Sequence, residues 1–155
     1  MYLATKTLNG DGREMIAFRI GAQEFCVDVT SIREIRSWTQ VTQIPHAPSF
    51  VLGVVNLRGL ILPIIDLAAR LGYAPAQPTA RHAIMVAESG AHVVGLLVDG
   101  VSDIITIDAK DIQPTPQVAS EAARSFISGI FSLESRLISL ITLENVLPAS
   151  LPAAA

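Results

Sequence analysis

Hydrophobic and polar residues alternate with a period of two, the pattern of half-buried β-strands, over eight short segments of the chain. Two to four turn-forming residues separate the members of each consecutive pair, as Arg58-Gly59 separates two aliphatic segments. Each pair therefore predicts a β-hairpin. The four predicted hairpins are residues 15–29, 52–65, 83–98 and 127–143.

Two short helical segments are predicted between the strands. Asp66 precedes an apolar run that ends at Gly72, which predicts an N-cap and a C-terminal stop for a helix over 66–72. Ser31 is followed three residues later by Glu34, the spacing of a capping box. This spacing predicts a helical turn that begins at Ser31.

The chain also contains an internal duplication. A shift of 69 residues places Gly21 on Gly90, and further along a shift of 76 residues places Gly53 on Gly129. The change from 69 to 76 indicates a seven-residue insertion in the second half, within the loop over 114–126. Two related halves of roughly 60 to 70 residues are therefore expected.

Short strands, few helices and a duplicated pattern predict an all-β fold with two small barrels. Because each half alone is too small to bury much apolar surface, the barrels are expected to pack over a shared apolar core. The Pro-rich stretch 73–80 is a natural linker. The predicted organisation is an N-terminal arm over 1–13, a first barrel over 14–72, the linker over 73–80, a second barrel over 81–148 and a tail over 149–155, with strands able to exchange between the barrels.

Composition narrows the class of protein. Of the 155 residues, 50% are hydrophobic, 16% are charged and 5% are aromatic, which excludes disorder over most of the chain and predicts an aliphatic core. A formal net charge of −3 gives no attraction toward nucleic acid or an anionic membrane. The most apolar stretch, 51–65, is too short to span a bilayer, and the N-terminus lacks the apolar region of a secretory signal. A cytoplasmic location is the default.

Candidate catalytic groups are few. The three histidines are scattered over a loop, a strand start and a hairpin turn, and each is expected to be solvated. They are His46, His82 and His92. Asp66 and Asp99 could form an acid and base pair, but both follow strands, where a carboxylate commonly caps the next turn. Cys26 is expected to pack inside a strand. No catalytic residue, metal site or cofactor is therefore predicted.

One charge stands apart from its neighbours. Arg58 is the only ionised residue in the stretch 51–65, and from spacing alone it is either a solvated turn residue or part of a binding surface. In the second half, the residues that match Glu34 and Arg58 are both acidic. They are Asp103 and Glu134. Because like charges repel, a contact between Glu34 and Arg58 is expected in the first half only.

Three segments of the chain form a distinctive set of motifs. They are GVVNLRGLILPIIDL from Gly53 to Leu67, the segment 29–36, and VGLLVDGVSD from Val94 to Asp103. Together they resemble the CheW-like family of chemotaxis coupling proteins. The resemblance extends from about residue 14 to residue 147, nearly the whole chain. It implies two SH3-like five-stranded β-barrels around a shared apolar core, which agrees with the duplication.

The resemblance also implies two binding surfaces on a protein without enzymatic activity. One surface binds the cytoplasmic hairpin tip of methyl-accepting chemotaxis receptors, and its residues here are Ile32, Glu34, Ile35, Asn56, Leu57, Arg58, Val98, Asp99 and Ile104. The other binds the regulatory domain of the histidine kinase CheA, and its residues here are Val41, Ile44, Gly53 and Val54. Trp38 departs from the commoner family pattern, and we expect it to be exposed and to enlarge a contact.

The implied function is a non-catalytic scaffold that couples receptors to CheA in signalling arrays at the membrane. Other CheW-like domains in array rings are additional implied partners, whereas nucleic acid and direct membrane insertion are not expected. CheW-like domains also occur within the kinase and fused to a receiver domain, and since no second domain follows here, a stand-alone coupler is expected. Two other classes lack their sequence patterns. An oligonucleotide-binding barrel would need a basic face with aromatic residues, and an enzyme would need convergent polar groups.

Overall fold

Ten β-strands and two short α-helices make up the part of the chain that the structure, a computed structural model, describes, namely residues 12–114 and 125–147. The strands are β1 (Gly12–Ile20), β2 (Gln23–Asp28), β3 (Ile32–Ser37), β4 (Val51–Leu57), β5 (Leu60–Asp66), β6 (Ala83–Ser89), β7 (His92–Val98), β8 (Gly100–Asp108), β9 (Ile127–Leu133) and β10 (Arg136–Ile141). The helices are α1 (Leu67–Arg70) and α2 (Leu143–Val146), and two 3₁₀ turns cover Val29–Ser31 and Ala109–Asp111. The all-β class with short helices is thereby confirmed.

The strands form two five-stranded sheets. Sheet I has the strand order β8-β1-β2-β10-β9, and sheet II has the order β3-β6-β7-β5-β4. Neighbouring strands are antiparallel except for two parallel pairs, β2 with β10 and β5 with β7. Strands β1 to β5 of the first half correspond in order to strands β6 to β10 of the second half. Exchanging every strand with its counterpart converts the order of sheet I into the order of sheet II. The duplication seen in the sequence is therefore present in the fold.

The two halves of the chain are interlocked. Sheet I joins the β1–β2 hairpin to the last three strands of the second half, and sheet II joins the β6–β7 hairpin to the last three strands of the first half. The sheets therefore differ from the expected barrels over 14–72 and 81–148, because the chain crosses between sheets at residues 29–31 and again at Asp99. Neither half contains a complete sheet.

Three apolar clusters hold the sheets together. Because successive side chains of a strand point to opposite faces, Met15 and Ala17 pack inside sheet I, whereas Ile16 and Phe18 pack between the sheets. A separate cluster that includes Leu62 lies inside sheet II. The cluster between the sheets is the largest and draws on both halves and both helices, which confirms the predicted shared core.

Two equivalent hairpin turns show the duplication at the level of single residues. Arg58 and Gly59 have φ angles of 52° and 90°, and Glu134 and Ser135 have φ angles of 50° and 72°. Positive φ at both central residues is the geometry of a type I′ turn, whose twist matches that of the flanking strands. Of the four residues, only Gly59 adopts this conformation without a steric cost.

The predicted helical turn beginning at Ser31 is wrong. A 3₁₀ turn ends at Ser31, and Asp28 caps it by accepting a hydrogen bond from the N–H of Thr30 at 2.9 Å. β3 begins at the next residue and pairs with β6, so the hydrogen bonds of the sheet override the local capping pattern. The predicted arm over 1–13, most of the loop over 114–126 and the tail over 149–155 lie largely outside the described residues.

The predicted helix after Asp66 is confirmed, although it covers only Leu67–Arg70. The buried carboxylate of Asp66 accepts hydrogen bonds from the N–H groups of Ala69 at 3.3 Å and Ala76 at 2.8 Å. Asp66 therefore caps α1 and also holds the segment predicted as a linker. Gly72 follows the helix with a φ of 96°, the conformation expected of a glycine stop.

Candidate partner-binding site

Glu34 and Arg58, the two charged residues singled out in the sequence, are in contact. Nη2 of Arg58, in the β4–β5 turn, donates a hydrogen bond to Oε2 of Glu34 on β3 at 2.5 Å. β3 and β4 are the opposite edge strands of sheet II, so the contact requires the sheet to curl until its edges meet. Glu34 and Arg58 therefore mark the seam at which sheet II closes.

Two cations hold the carboxylate of Glu34. Nη1 of Arg36 lies 3.3 Å from Oε1, so each oxygen faces a different arginine. The hydrogen bond from Arg58, together with that from Arg36, lowers the pKa of Glu34 below its ordinary value of 4.5. Glu34 is thus ionised at neutral pH, and the three side chains together carry one net positive charge.

Exposed aliphatic side chains lie on the strands that carry this charged cluster. Ile35 on β3 is exposed, and Ile61 on β5 is 58% exposed. An open cleft of about 440 Å³ follows the same seam, lined by residues that include Arg36, Asn56 and Ile61. The lining of the cleft is part aliphatic and part polar. Such a cleft, with exposed aliphatic side chains and charges beside it, suits a helical partner, since apolar burial supplies affinity and charge complementarity fixes orientation.

Asn56 and Leu57 support the turn that carries Arg58. Oδ1 of Asn56 accepts a hydrogen bond from the N–H of Gly59 at 2.8 Å, an Asx-type bond that fixes the turn. Leu57 is only 8% exposed and packs in the core of sheet II, because strand alternation turns it inward. The expectation that Leu57 contacts a receptor is therefore corrected. Asn56 is exposed and remains available to a partner.

The four kinase-facing candidates share one edge of sheet II. Thr42 and Val54 form an isolated antiparallel bridge with backbone hydrogen bonds of 2.9 and 2.8 Å, which holds the segment around Val41 and Ile44 against β4. Ile44 is exposed, and Val41 and Val54 are half-buried. Gly53 is buried, and a Cβ atom there would overlap the carbonyl oxygen of Thr42. Gly53 therefore permits this close approach and offers no contact surface of its own.

The remaining receptor-facing candidates are divided between the sheets. Ile32 is half-buried against the shared core, whereas Ile104, on β8 of sheet I, is exposed. Val98 ends a central strand with its side chain in the shared core, 1% exposed, so the expectation that it contacts a receptor is also corrected. Asp99 is partly exposed and accepts a hydrogen bond from the N–H of Gly21 at 2.7 Å.

Sheet I closes with an equivalent acid and arginine contact, which the sequence did not predict. Asp103, the counterpart of Glu34, accepts hydrogen bonds from Nη2 and Nη1 of Arg136 at 3.1 and 3.3 Å. Arg136 also donates to both oxygens of Glu24, at 2.9 and 2.8 Å. The sequence comparison considered only the matched position Glu134, and Arg136, two residues further along, supplies the cation that binds Asp103.

Three exposed or charged side chains near these seams were absent from the predicted site. Ile61 and its counterpart Leu137, 68% exposed, have the largest exposed fractions among the large hydrophobic side chains described. Strand alternation directs both outward, so the sequence carried a signal for them. Arg136 carried no such signal, because its contact with Glu24 depends on the parallel pairing of β10 with β2.

Two aromatic side chains are less exposed than expected. Trp38 packs half-buried against the core of sheet II, so it does not enlarge an exposed contact surface. His82, expected to be solvated, is largely buried at the start of β6, and its Nδ1 accepts a hydrogen bond from the N–H of Thr79 at 3.1 Å. Trp38 therefore contributes to the core of sheet II, and His82 lies beside Asp99, where the chain crosses between the sheets.

The other candidate chemical groups serve packing and capping. Burial raises the pKa of the Cys26 thiol to about 12, so the thiol stays protonated at neutral pH. Over residues 12–114 and 125–147, no three His, Cys, Asp or Glu side chains gather as ligands of a metal ion would. Within these ranges no helix has the length and apolar character needed to cross a membrane.

Comparison with known proteins places these features in one family. The family model described as the CheW-like domain matches residues 14–150. The chain is 56% identical over 146 residues to the chemotaxis protein CheW of Rhizobium meliloti (strain 1021), covering 94% of each chain. It is 59% identical over 144 residues to a probable chemotaxis protein CheW of Rhizobium etli, covering 93% of each chain.

A solved structure shares the whole architecture. The crystal structure of the scaffolding protein TtCheW from Thermoanaerobacter tengcongensis matches with a TM-score of 0.81 and 28% sequence identity, over 89% of this chain and 94% of that one. The two five-stranded sheets described above are accordingly two SH3-like barrels. The chain therefore belongs to the CheW-like family of chemotaxis scaffold proteins.

Proposed function

We propose that this protein couples the cytoplasmic hairpin tip of methyl-accepting chemotaxis receptors to the regulatory domain of the kinase CheA. The contact between Glu34 and Arg58 carries the proposal, because it places a charged pair beside exposed aliphatic residues within the family's own sequence motif. The protein acts as a scaffold in the cytoplasm and is recruited to receptor arrays at the membrane. It performs no chemical step of its own.

The receptor side is the seam of sheet II together with β8 of sheet I. Ile35 and Ile104, counterparts in the duplication, are both exposed and offer apolar area to a helical hairpin. Arg58 and Glu34 supply charge at the rim, where complementary charges fix the register of a docked helix. A surface of this kind binds through the apolar positions and selects its partner through the charged ones.

The kinase side is the edge formed by β4 and the segment bridged to it. Ile44 is exposed there, Val41 packs against the core of sheet II, and Val54 is half-buried beside them. A regulatory domain that is itself CheW-like would present a comparable barrel edge. Two barrels can join through such edges because each offers aliphatic side chains backed by a rigid core.

Contacts with other CheW-like domains are a second proposal, favoured by an uneven distribution of charge. Among the described residues, 32–98 contains five basic and three acidic residues, whereas 12–31 and 99–147 together contain four basic and nine acidic residues. The equivalent hairpin tips follow this pattern, with Arg58 before exposed Ile61 and Glu134 before exposed Leu137. Tips of opposite charge can join one CheW-like domain to the next in a ring.

The direct test of the coupling function is a bridging experiment. A receptor hairpin fragment is immobilised, and the CheA regulatory domain is applied with and without the purified chain. The proposal expects the kinase domain to be retained only when the chain is present. Retention that does not depend on the chain, or failure of the chain to bind either partner, would overturn the proposal.

Ile44→Ser separates the two binding sides. It removes an exposed aliphatic residue from the kinase edge, so the variant should still bind the receptor fragment while losing about tenfold or more in affinity for the kinase domain. Tyr73→Ser, which changes another exposed large side chain outside both surfaces, is the matched control. Equal losses toward kinase in both variants would contradict the assigned edge.

A further inference from the structure

His82 lies where three segments of the chain meet. Its carbonyl oxygen accepts a hydrogen bond from the N–H of Trp38, at the end of β3, at 3.1 Å. Its Nε2 lies 3.5 Å from Oδ1 of Asp99, just before β8. Its Nδ1 accepts from the N–H of Thr79 at 3.1 Å, and its side chain is only 15% exposed. One residue thus contacts the residue that follows β3, the residue that precedes β8 and the segment before β6.

The hydrogen bond from Thr79 fixes the proton positions on the neutral imidazole. Because a backbone N–H can only donate, Nδ1 must be the acceptor, and the ring hydrogen is therefore on Nε2. That hydrogen faces the carboxylate of Asp99. His82 is consequently oriented as a donor to Asp99 and cannot exchange the roles of its two nitrogens without losing the bond from Thr79.

Asp99 makes its polar contacts within the protein. Its Oδ2 accepts from the N–H of Gly21 at 2.7 Å, and its backbone N–H donates to the carbonyl oxygen of Arg19 at 3.0 Å, both in the first hairpin of sheet I. Its Oδ1 faces His82, which directly precedes the β6–β7 hairpin of sheet II. The carboxylate therefore ties the two sheets at the point where the chain crosses between them.

We propose that His82 is a positioning residue for the receptor surface, with Asp99 as its relay and not as a receptor contact. This inference rests on the proposed function. β3 carries Glu34 and Ile35 and β8 carries Ile104, so the receptor surface depends on the relative placement of two strands from different sheets. His82 holds the end of one strand through its carbonyl group and the start of the other through its ring.

Two substitutions separate the two contacts of the His82 ring, the hydrogen bond from Thr79 and the contact with Asp99. In His82→Asn, the amide oxygen can stand in for Nδ1 and keep the bond from Thr79, but nothing reaches Asp99. In His82→Gln, the longer side chain can place an amide N–H near Asp99 while giving up the bond from Thr79. We expect His82→Asn to weaken binding of the receptor fragment about tenfold, and His82→Gln to retain affinity within about threefold of wild type.

Two further readouts distinguish positioning from general damage. Affinity for the CheA regulatory domain should stay within about twofold of wild type in both variants, since the kinase edge is built from β4 and its bridge. The amide NMR resonance of Gly21, which reports the bond to Asp99, should shift in His82→Asn and stay in place in His82→Gln. His46→Asn, the same substitution at an exposed loop histidine, is the matched control for receptor binding.

Wild-type receptor affinity in His82→Asn, or an unmoved Gly21 resonance, would overturn the inference. Equal loss of receptor and kinase binding in His82→Asn would do so as well, because it would indicate general loss of structure. If the wild-type chain itself failed to bind the receptor fragment, the proposed function would fall, and the Gly21 resonance would still decide whether His82 holds Asp99.

Discussion

Arg70 donates a hydrogen bond from Nε to the carbonyl oxygen of Val146 at 2.7 Å, and Val146 is the residue that the 76-residue shift places on Arg70 itself. A side chain that binds its own counterpart must lie close to the axis that relates the two halves. Its guanidinium carbon lies 4.6 Å from the ring centre of Phe50 and 4.8 Å from that of Phe126, which are also counterparts. Arg70 therefore joins α1 to α2 and one sheet to the other.

Replacing Arg70 should destabilise the whole protein. Arg70→Met keeps much of the apolar stem but removes the hydrogen bond and both cation–π contacts, so the free energy of unfolding should fall by about 1–3 kcal/mol. Arg70→Lys keeps the charge without the planar donor group, so its free energy of unfolding should lie between those of wild type and Arg70→Met. Urea denaturation measures both. Arg81→Met, at an exposed arginine, is the control, and equal effects at the two sites would contradict the role given to Arg70.

The two equivalent turns predict a stabilising substitution. Ser135 has a φ of 72°, where its counterpart Gly59 has 90°. Ser135→Gly should raise the free energy of unfolding by about 0.5–1 kcal/mol, because glycine adopts positive φ without steric cost. Gly59→Ser should lower it by a similar amount. Thermal unfolding of the two variants tests this, and a decrease for Ser135→Gly would show that the serine side chain stabilises the turn.

The contact between Glu24 and Arg136 predicts a dependence of stability on pH. The hydrogen bond from Arg136 lowers the pKa of Glu24 below its ordinary value of 4.5. A carboxyl group whose pKa is lower in the folded state stabilises the fold above its unfolded pKa, and this contribution is lost as pH falls through the folded pKa. Arg136→Met should therefore cost about 1–2 kcal/mol at pH 6, with a smaller difference from wild type at pH 3. Urea denaturation at both pH values measures this, and a difference that does not shrink in acid would contradict the assignment.

The sequence predicted the local elements of the fold better than their arrangement. Hairpins follow from alternation and turn residues, which are local, and all four were found. The exchange of strands depends on pairing between distant segments, such as Leu140 with Cys26 and its counterpart Ile64 with Gly95. Alternation of hydrophobic residues tells which face of a strand is buried but does not tell which strand lies beside it.

The candidate site was predictable to a similar extent. Opposite charges at Glu34 and Arg58 pointed to their contact, and the two residues lie in two of the segments that carry the family resemblance. Burial of Leu57 and Val98 was not anticipated, since a motif marks positions without telling which side chains face inward. Arg136 was missed because its position in the duplication corresponds to Leu60, an apolar residue, so the comparison of the halves gave no reason to expect a cation there.

Arg58→Asn tests the receptor surface without disturbing the turn. Asn-Gly is the preferred pair for a type I′ turn, so the variant should fold at least as well as wild type while losing the contact with Glu34. Binding of the receptor fragment, measured by calorimetry, should weaken about tenfold or more. Arg33→Asn, at an exposed arginine on β3, is the control. Unchanged receptor affinity in folded Arg58→Asn would mean that Arg58 is an ordinary solvated turn residue.

Both halves of the chain are needed to build each sheet and the proposed binding surfaces on it. Residues 1–76 contain Glu34 and Arg58 but lack β6, the antiparallel partner of β3, and β7, the parallel partner of β5. The most direct measurement is receptor binding by residues 1–76 alone, by residues 77–155 alone and by the two mixed. We predict no binding and no cooperative unfolding for either fragment, and recovery of both on mixing, because only the mixture can complete the sheets. Cooperative unfolding and normal receptor affinity of residues 1–76 alone would contradict the account.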